Sequence, residues 1–220
     1  MTLSDLSLDD LRLALAPAIA EAAAFDGWTP LAVDSAAARI GVSADVARLA
    51  FPGNHPAMAM IAAWIAHVDA AMAQALPAEM LATLSIRQRI RRLVSFRLEA
   101  VGADEEALRR ALAIMAMPQN AAHSLKLGWR SADAMWRLAG DTATDLNYYT
   151  KRATLGALYA ATLLVFVDDR SEGKAETLAF LDRRIDDVMR FEKAKAGWRR
   201  AGSDYISPVR FLGRLRYPPR

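Results

Sequence analysis

The sequence predicts an all-α protein, on three observations. Apolar residues recur at spacings of three and four along most of the 220-residue chain, which is the period of one helix face. No segment shows the alternation of β-branched and polar residues between turns that marks a half-buried strand. Glycines fall mostly at the ends of the periodic stretches, where helices stop.

The elements follow in order. Ser7 and Asp10 form a capping-box pattern ahead of a helix whose Leu11, Leu15, Ala18, Ala22 and Phe25 share a face, closed by Gly27. Thr29 and Pro30 read as N-cap and first residue of a short helix ended by Gly41, and Ser43 caps the next. Met58, Ile61, Ile65, Val68 and Met72 mark a long amphipathic helix that stops before Pro77. Ile86, Ile90, Leu93 and Val94 mark a fifth. Ala107 to Met117 makes another, ended by Pro118, after which Leu125, Trp129, Ala132, Trp136 and Ala139 line one face up to Gly140. The loop from Gly140 to Thr144 precedes an apolar helix that ends near Asp168. Lys174 to Ala196 is the last helix, with Leu178, Leu181, Ile185 and Val188 as its buried stripe, and the chain beyond Gly197 reads as irregular.

Composition narrows the function classes. Hydrophobic residues at 54% and charged residues at 24% exclude a disordered chain. The apolar stretch from Ala153 to Val167 is shorter than the roughly 18–20 residues that cross a bilayer, so it reads as a buried helix. There is no cysteine, which removes disulfides, thiolate metal sites and cysteine nucleophiles. The first ten residues carry three acids and no base, the reverse of a signal or transit peptide, and a cytoplasmic location is expected. From Arg190 onward nine basic residues face two acidic ones, so an anionic partner should meet the C-terminal end first.

No chemistry-bearing constellation is present. His55, His67 and His123 lack metal-ligand spacing, and neither a phosphate loop nor a nucleophile elbow occurs, so no catalytic residue, metal or cofactor is expected. The acid pairs Asp168-Asp169 and Asp186-Asp187 point to different helix faces and read as caps or solvated groups. Arg87, Arg89, Arg91, Arg92 and Arg97 are either an anion grip or a polar helix face.

Ala37-Ala38-Arg39-Ile40-Gly41-Val42-Ser43 has the small residue, turn glycine and serine cap of a helix-turn-helix corner, and Phe51-Pro52 ends the second helix. This spacing resembles the TetR family of regulators and implies a TetR-like all-α fold. Within it, residues 1–54 form a helix-turn-helix-like region, 55–196 a helical lipid-binding and dimerisation domain, and 197–220 a basic tail. The second helix offers one arginine, Arg48, beside the acid Asp45, a poor surface for reading bases and phosphates.

Three later blocks narrow the family. They are Leu112 to Asn120 (LAIMAMPQN), Met135 to Asp141 (MWRLAGD) and Thr144 to Ala153 (TDLNYYTKRA), with Asp26-Gly27-Trp28-Thr29 as an entry segment. Together they resemble the Coq nine family of ubiquinone biosynthesis accessory proteins, in its alphaproteobacterial form. The mitochondrial relatives commonly carry tryptophan where Tyr148 stands and a longer C-terminal amphipathic helix.

The resemblance implies a non-enzymatic homodimer, peripheral to the bacterial inner membrane, that binds phospholipid or an isoprenoid quinone precursor and assists the demethoxyubiquinone hydroxylase. Expected lipid-lining residues are Leu93, Leu112, Met115, Trp129, Met135, Leu155, Leu158, Tyr159 and Thr162. The expected hydroxylase patch is Met135, Trp136, Leu146, Tyr148, Tyr149 and Arg152, of which only one of the adjacent tyrosines can face inward. Arg152 has Asp141 and Asp145 as candidate ion partners. Trp198, Arg199, Arg200, Phe211, Leu212, Arg214, Leu215 and Arg216 interleave apolar and basic groups as membrane-contacting segments do. The helices near 145–167 and 174–196 are the expected dimer surface, tested through Leu181. The alternative function is a ligand-sensing TetR-type transcriptional regulator that binds DNA.

Overall fold

The computed structural model describes residues 6–53, 56–144 and 146–203, with Leu146 and residues 192–203 described as backbone alone. The chain forms α1 (Leu8–Asp26), α2 (Pro30–Ile40), α3 (Ala44–Ala50), α4 (Ala57–Ala75), α5 (Ala78–Ala82), α6 (Ile86–Gly102), α7 (Glu105–Met115), α8 (Ala121–Leu138), α9 (Leu146–Asp168) and α10 (Ala175–Ser203). No strand occurs among the described residues. The fold is all-α and TetR-like.

Local chemistry sets the boundaries. Ser7 Oγ accepts from the Asp10 backbone N–H at the start of α1. Gly41 ends α2 in the left-handed region at φ 76°, which a β-carbon would strain, and the Val42 N–H then closes on the Ala37 carbonyl. Both arms of the capping box form at α6, between Ser85 and Gln88.

The helix-turn-helix part and the larger part share one continuous core running from Leu11 to Ile185. Helix α1 packs on α2, α3, α4 and α7, while α4 also reaches α6 and α8. Trp28 fastens the two parts: its ring lies 5.4 Å from that of Trp64, and its Nε1 donates to the Ala107 carbonyl at 3.0 Å. Helix α4 has the length and hydropathy of a membrane span, yet its Met60, Ile61, Trp64, Val68 and Met72 are buried in this core.

Three expectations change. Phe25 is 85% exposed and Leu125 75% exposed, although both share an angular face with buried residues. Period fixes the angle of a side chain, not whether a neighbour reaches that turn of the helix. Helix α10 continues to Ser203 instead of stopping at Gly197. The five-residue α5 is too short to show a period, which hid it from the pattern.

Candidate lipid-binding site

An apolar space lies where α10 crosses α6 and α9, under the turn that joins α8 to α9. It has a volume of about 340 Å³. Ile86 and Ile90 come from α6, Leu155 and Leu158 from α9, and Ile185, Val188 and Met189 from α10, with Trp136 and Ala139 closing the α8 end. Each apolar residue follows from helix period, but the cavity itself is a product of how three helices cross.

Four charged residues also line it, and every one has an internal partner. Arg87 Nε donates to Asp186 at 2.7 Å, a bond that holds the Asp186 carboxyl below its usual range and the Arg87 guanidinium above its own. Arg89 spends its guanidinium on the carbonyls of Leu84, Ala139 and Ala82. Lys151 donates to Asp141 at 2.6 Å and lies over the Trp136 ring. With its charges already paired, what the cavity offers a ligand is its apolar surface.

The α8–α9 turn above it is held by a buried ion cluster. Arg152 donates to Asp133 through Nε at 2.6 Å and to Asp141 through Nη1 at 3.0 Å, and stacks 3.5 Å from the Tyr148 ring centroid. Burial pushes the Asp141 carboxyl up, but hydrogen bonds from Lys151 and Arg152 outweigh it and leave the group below its ordinary value. Tyr148 donates through its hydroxyl to Asp133 at 3.3 Å, so its ring faces inward while Tyr149, 59% exposed, faces out. Trp129, Tyr148 and Tyr149 form one ring cluster, with centroids 5.1 to 6.3 Å apart.

The sequence-derived sites are partly redistributed. Of the nine expected lipid-lining residues, Leu155 and Leu158 line the cavity. Leu93 and Met135 are fully buried core side chains, and Leu112 and Met115 pack partly buried against the core. Tyr159 lies under Arg97, Thr162 donates to the Leu158 carbonyl, and Trp129 sits in the ring cluster. Ile86, Ile90, Ile185, Val188 and Met189 were missed as lining; their stripes were visible, but the crossing that opens space between them was not. In the expected hydroxylase patch, Met135 and Arg152 are buried and cannot meet a partner. Trp136 is half-buried with Nε1 donating to the Lys151 carbonyl. The Leu146 side chain lies outside the described residues. So do the side chains of Trp198, Arg199 and Arg200, and Phe211, Leu212, Arg214, Leu215 and Arg216 entirely.

Several other arginines are paired as well. Arg97 is buried, paired with Asp69 and stacked on Tyr159, and Arg91 pairs with Asp182 at 2.7 Å. On α3, Arg48 makes a two-pronged pair with Asp34 at 2.8 and 2.6 Å, and on α2 Arg39 pairs with Glu21. The Arg48 bond holds the Asp34 carboxyl below its usual range. Among the described residues no group of acids and histidines is arranged to hold a metal.

Residues 121–192, which supply α8, α9 and most of α10, match the COQ9 family model. This segment is similar to the COQ9 family. COQ9 of Rattus norvegicus, a mitochondrial ubiquinone biosynthesis protein, is 48% identical over 80 residues, covering 36% of this chain and 26% of its own. The Homo sapiens COQ9 protein is 45% identical over 80 residues, covering 36% and 25%. A probable coq9 protein of Dictyostelium discoideum is 29% identical over 117 residues, covering 53% and 38%. The chain thus matches about a quarter of the length of its mammalian COQ9 relatives. Over the whole fold, the TetR transcriptional regulator of Nitrosomonas europaea superposes with a TM-score of 0.63 at 23% identity, covering 80% of this chain and 97% of that one. That likeness concerns the fold. The cavity combines COQ9-segment residues from α8 to α10 with Ile86 to Ile90 of α6, which precede the segment.

Proposed function

We propose that the chain is a non-catalytic, lipid-binding accessory protein of ubiquinone biosynthesis that assists the demethoxyubiquinone hydroxylase. The observation that carries this reading is the apolar cavity built largely from the COQ9 segment, with its charges internally neutralised. Its volume sits near the lower end of the about 300–1,000 Å³ typical of small-molecule sites, so it takes a section of a long chain rather than a whole lipid. An isoprenoid tail or an acyl chain meets that requirement, and the head group stays at the rim.

Two surfaces fit the partners. Tyr149, backed by Trp129 and Tyr148, is an exposed aromatic anchor for the hydroxylase. On α9, Ala153, Ala157, Ala160 and Leu164 are exposed at spacings of four, three and four, the seam of a helix that packs on another helix. A second copy of the chain covers that seam in the homodimer. Leu181 is fully buried within the protomer, so it is a core residue rather than an interface contact. A DNA-reading role draws no support from α3, whose one arginine is held by Asp34. The basic C-terminal residues favour contact with an anionic membrane.

Organic extraction of the natively purified chain, followed by mass spectrometry, tests the reading. Stoichiometric isoprenoid or phospholipid supports it, and repeated extracts without lipid overturn it.

A further inference from the structure

A second cavity, of about 470 Å³, lies on the opposite flank of α6, between that helix and the corner where α4 passes into α5. Every residue that lines it precedes residue 121, so it falls outside the segment matched by the COQ9 family model. Its floor is Leu76, Leu84 and Phe96. Its polar wall is a single stripe of α6, in which Gln88, Arg92, Ser95 and Glu99 follow one another at spacings of four, three and four.

That stripe differs from the other polar surfaces of α6 in being unspent. Arg87, Arg89, Arg91 and Arg97 all have internal partners, whereas Arg92 has none among the described residues. Ser95 Oγ is buried without a hydrogen-bond partner, a cost that an acceptor atom of a ligand removes. Gln88 accepts through Oε1 from the Ser85 N–H at 2.9 Å and from its hydroxyl at 2.8 Å, which leaves its amide N–H groups to donate. Arg91, at the edge, is committed to Asp182 through Nε. Glu99 lies seven residues beyond Arg92, about 10 Å along the helix, and opposes any second negative charge at that end.

We propose that this groove binds a small amphiphilic monoanion. The carboxylate sits between the Arg92 guanidinium, the Gln88 amide and the Ser95 hydroxyl, and the apolar body lies on Leu76, Leu84 and Phe96. One free cation with two neutral donors matches one negative charge, and Glu99 disfavours a dianion. The site is independent of the lipid cavity, and neither proposal needs the other.

Titration calorimetry of the full chain with octanoate, and with octanol as its uncharged counterpart, tests it. Octanoate binds saturably, with an affinity that falls as salt is raised. Arg92→Gln lowers that affinity roughly tenfold, the scale of one lost charge-assisted hydrogen bond. Ser95→Ala lowers it less, and Leu158→Trp at the other cavity leaves it unchanged. Arg92 is exposed and unpaired, so its replacement leaves the fold intact, which circular dichroism verifies. Octanoate affinity equal in wild type and Arg92→Gln, or equal for octanoate and octanol, overturns the proposal. So does an Arg92-dependent affinity for phosphatidylglycerol vesicles in a chain that takes up no free octanoate, which would make the stripe a membrane contact.

Discussion

Arg152 and Asp141 meet at 3.0 Å with their side chains 2% and 3% exposed, and this pair closes the turn between α8 and α9. Asp133 takes the other edge of the guanidinium, and Tyr148 covers its face. The cluster anchors the turn that roofs the apolar cavity, and Asp141 both holds that turn and lines the cavity.

Arg152→Ala leaves the buried carboxylate of Asp141 and the half-buried one of Asp133 short of a partner and should destabilise the fold by about 3 kcal/mol. Urea denaturation measures it. Replacing Arg152 by methionine together with Asp141→Leu should cost less than the single change, because no carboxylate then remains unpaired at position 141. A loss under about 0.5 kcal/mol for Arg152→Ala would place the pair among weak surface bridges.

Tyr149→Ala separates docking from folding. Its ring is exposed, so stability should change little, while hydroxylase affinity falls by about 2 kcal/mol if the ring is a binding anchor. Wild-type retention of the hydroxylase by this variant removes the anchor.

The seam on α9 makes a distinct prediction. Leu164 is exposed in the protomer, so Leu164→Glu should leave the protomer folded and give a monomer by light scattering. A variant of unchanged dimer mass contradicts the seam.

Much of this was legible in the sequence, and the reason for each gap is physical. Caps and turn glycines are local, so Ser7, Gly41 and Ser85 mark helix ends without knowledge of the fold. The pair Tyr148 and Tyr149 is two adjacent helix positions about 100° apart, so one ring in and one out follows from geometry alone. Asp141 was readable as a partner of Arg152 because it stands in the short loop just ahead of the helix that carries Arg152. The cavity was not readable. Leu93, Met135 and Leu158 have the same apolar pattern, and only the crossing of α6, α9 and α10 decides which of them borders empty space. Nor does period separate a face that meets the core from one left bare, as at Leu125.

Acid should weaken the protein through carboxylates whose folded values are depressed. Asp169 is held low by the Ser171 and Thr177 hydroxyls, and hydrogen bonds to Lys151 and Arg152 outweigh burial at Asp141. A depressed carboxylate contributes stability that is present above its unfolded value, near 3.8, and lost as pH falls through the folded value. Asp104 has the opposite sign: burial and Glu21 raise it, so its contribution is full below the unfolded value and is lost as pH rises through the folded one. Thermal melting should therefore stay nearly level from pH 7 to about 5 and fall below about pH 4. Asp169→Asn should flatten that fall, and an identical acid limb in the variant would remove Asp169 as a cause.

The central claim is that the space between α6, α9 and α10 holds an apolar chain. Lipid stoichiometry in extracts of wild type, Leu158→Trp and Met189→Trp tests it most directly, since the first variant fills the cavity from α9 and the second from the more exposed α10 side. The account predicts stoichiometric lipid in the wild type and a large loss in both variants, with melting temperatures that show them folded. Equal lipid in all three folded proteins would contradict it.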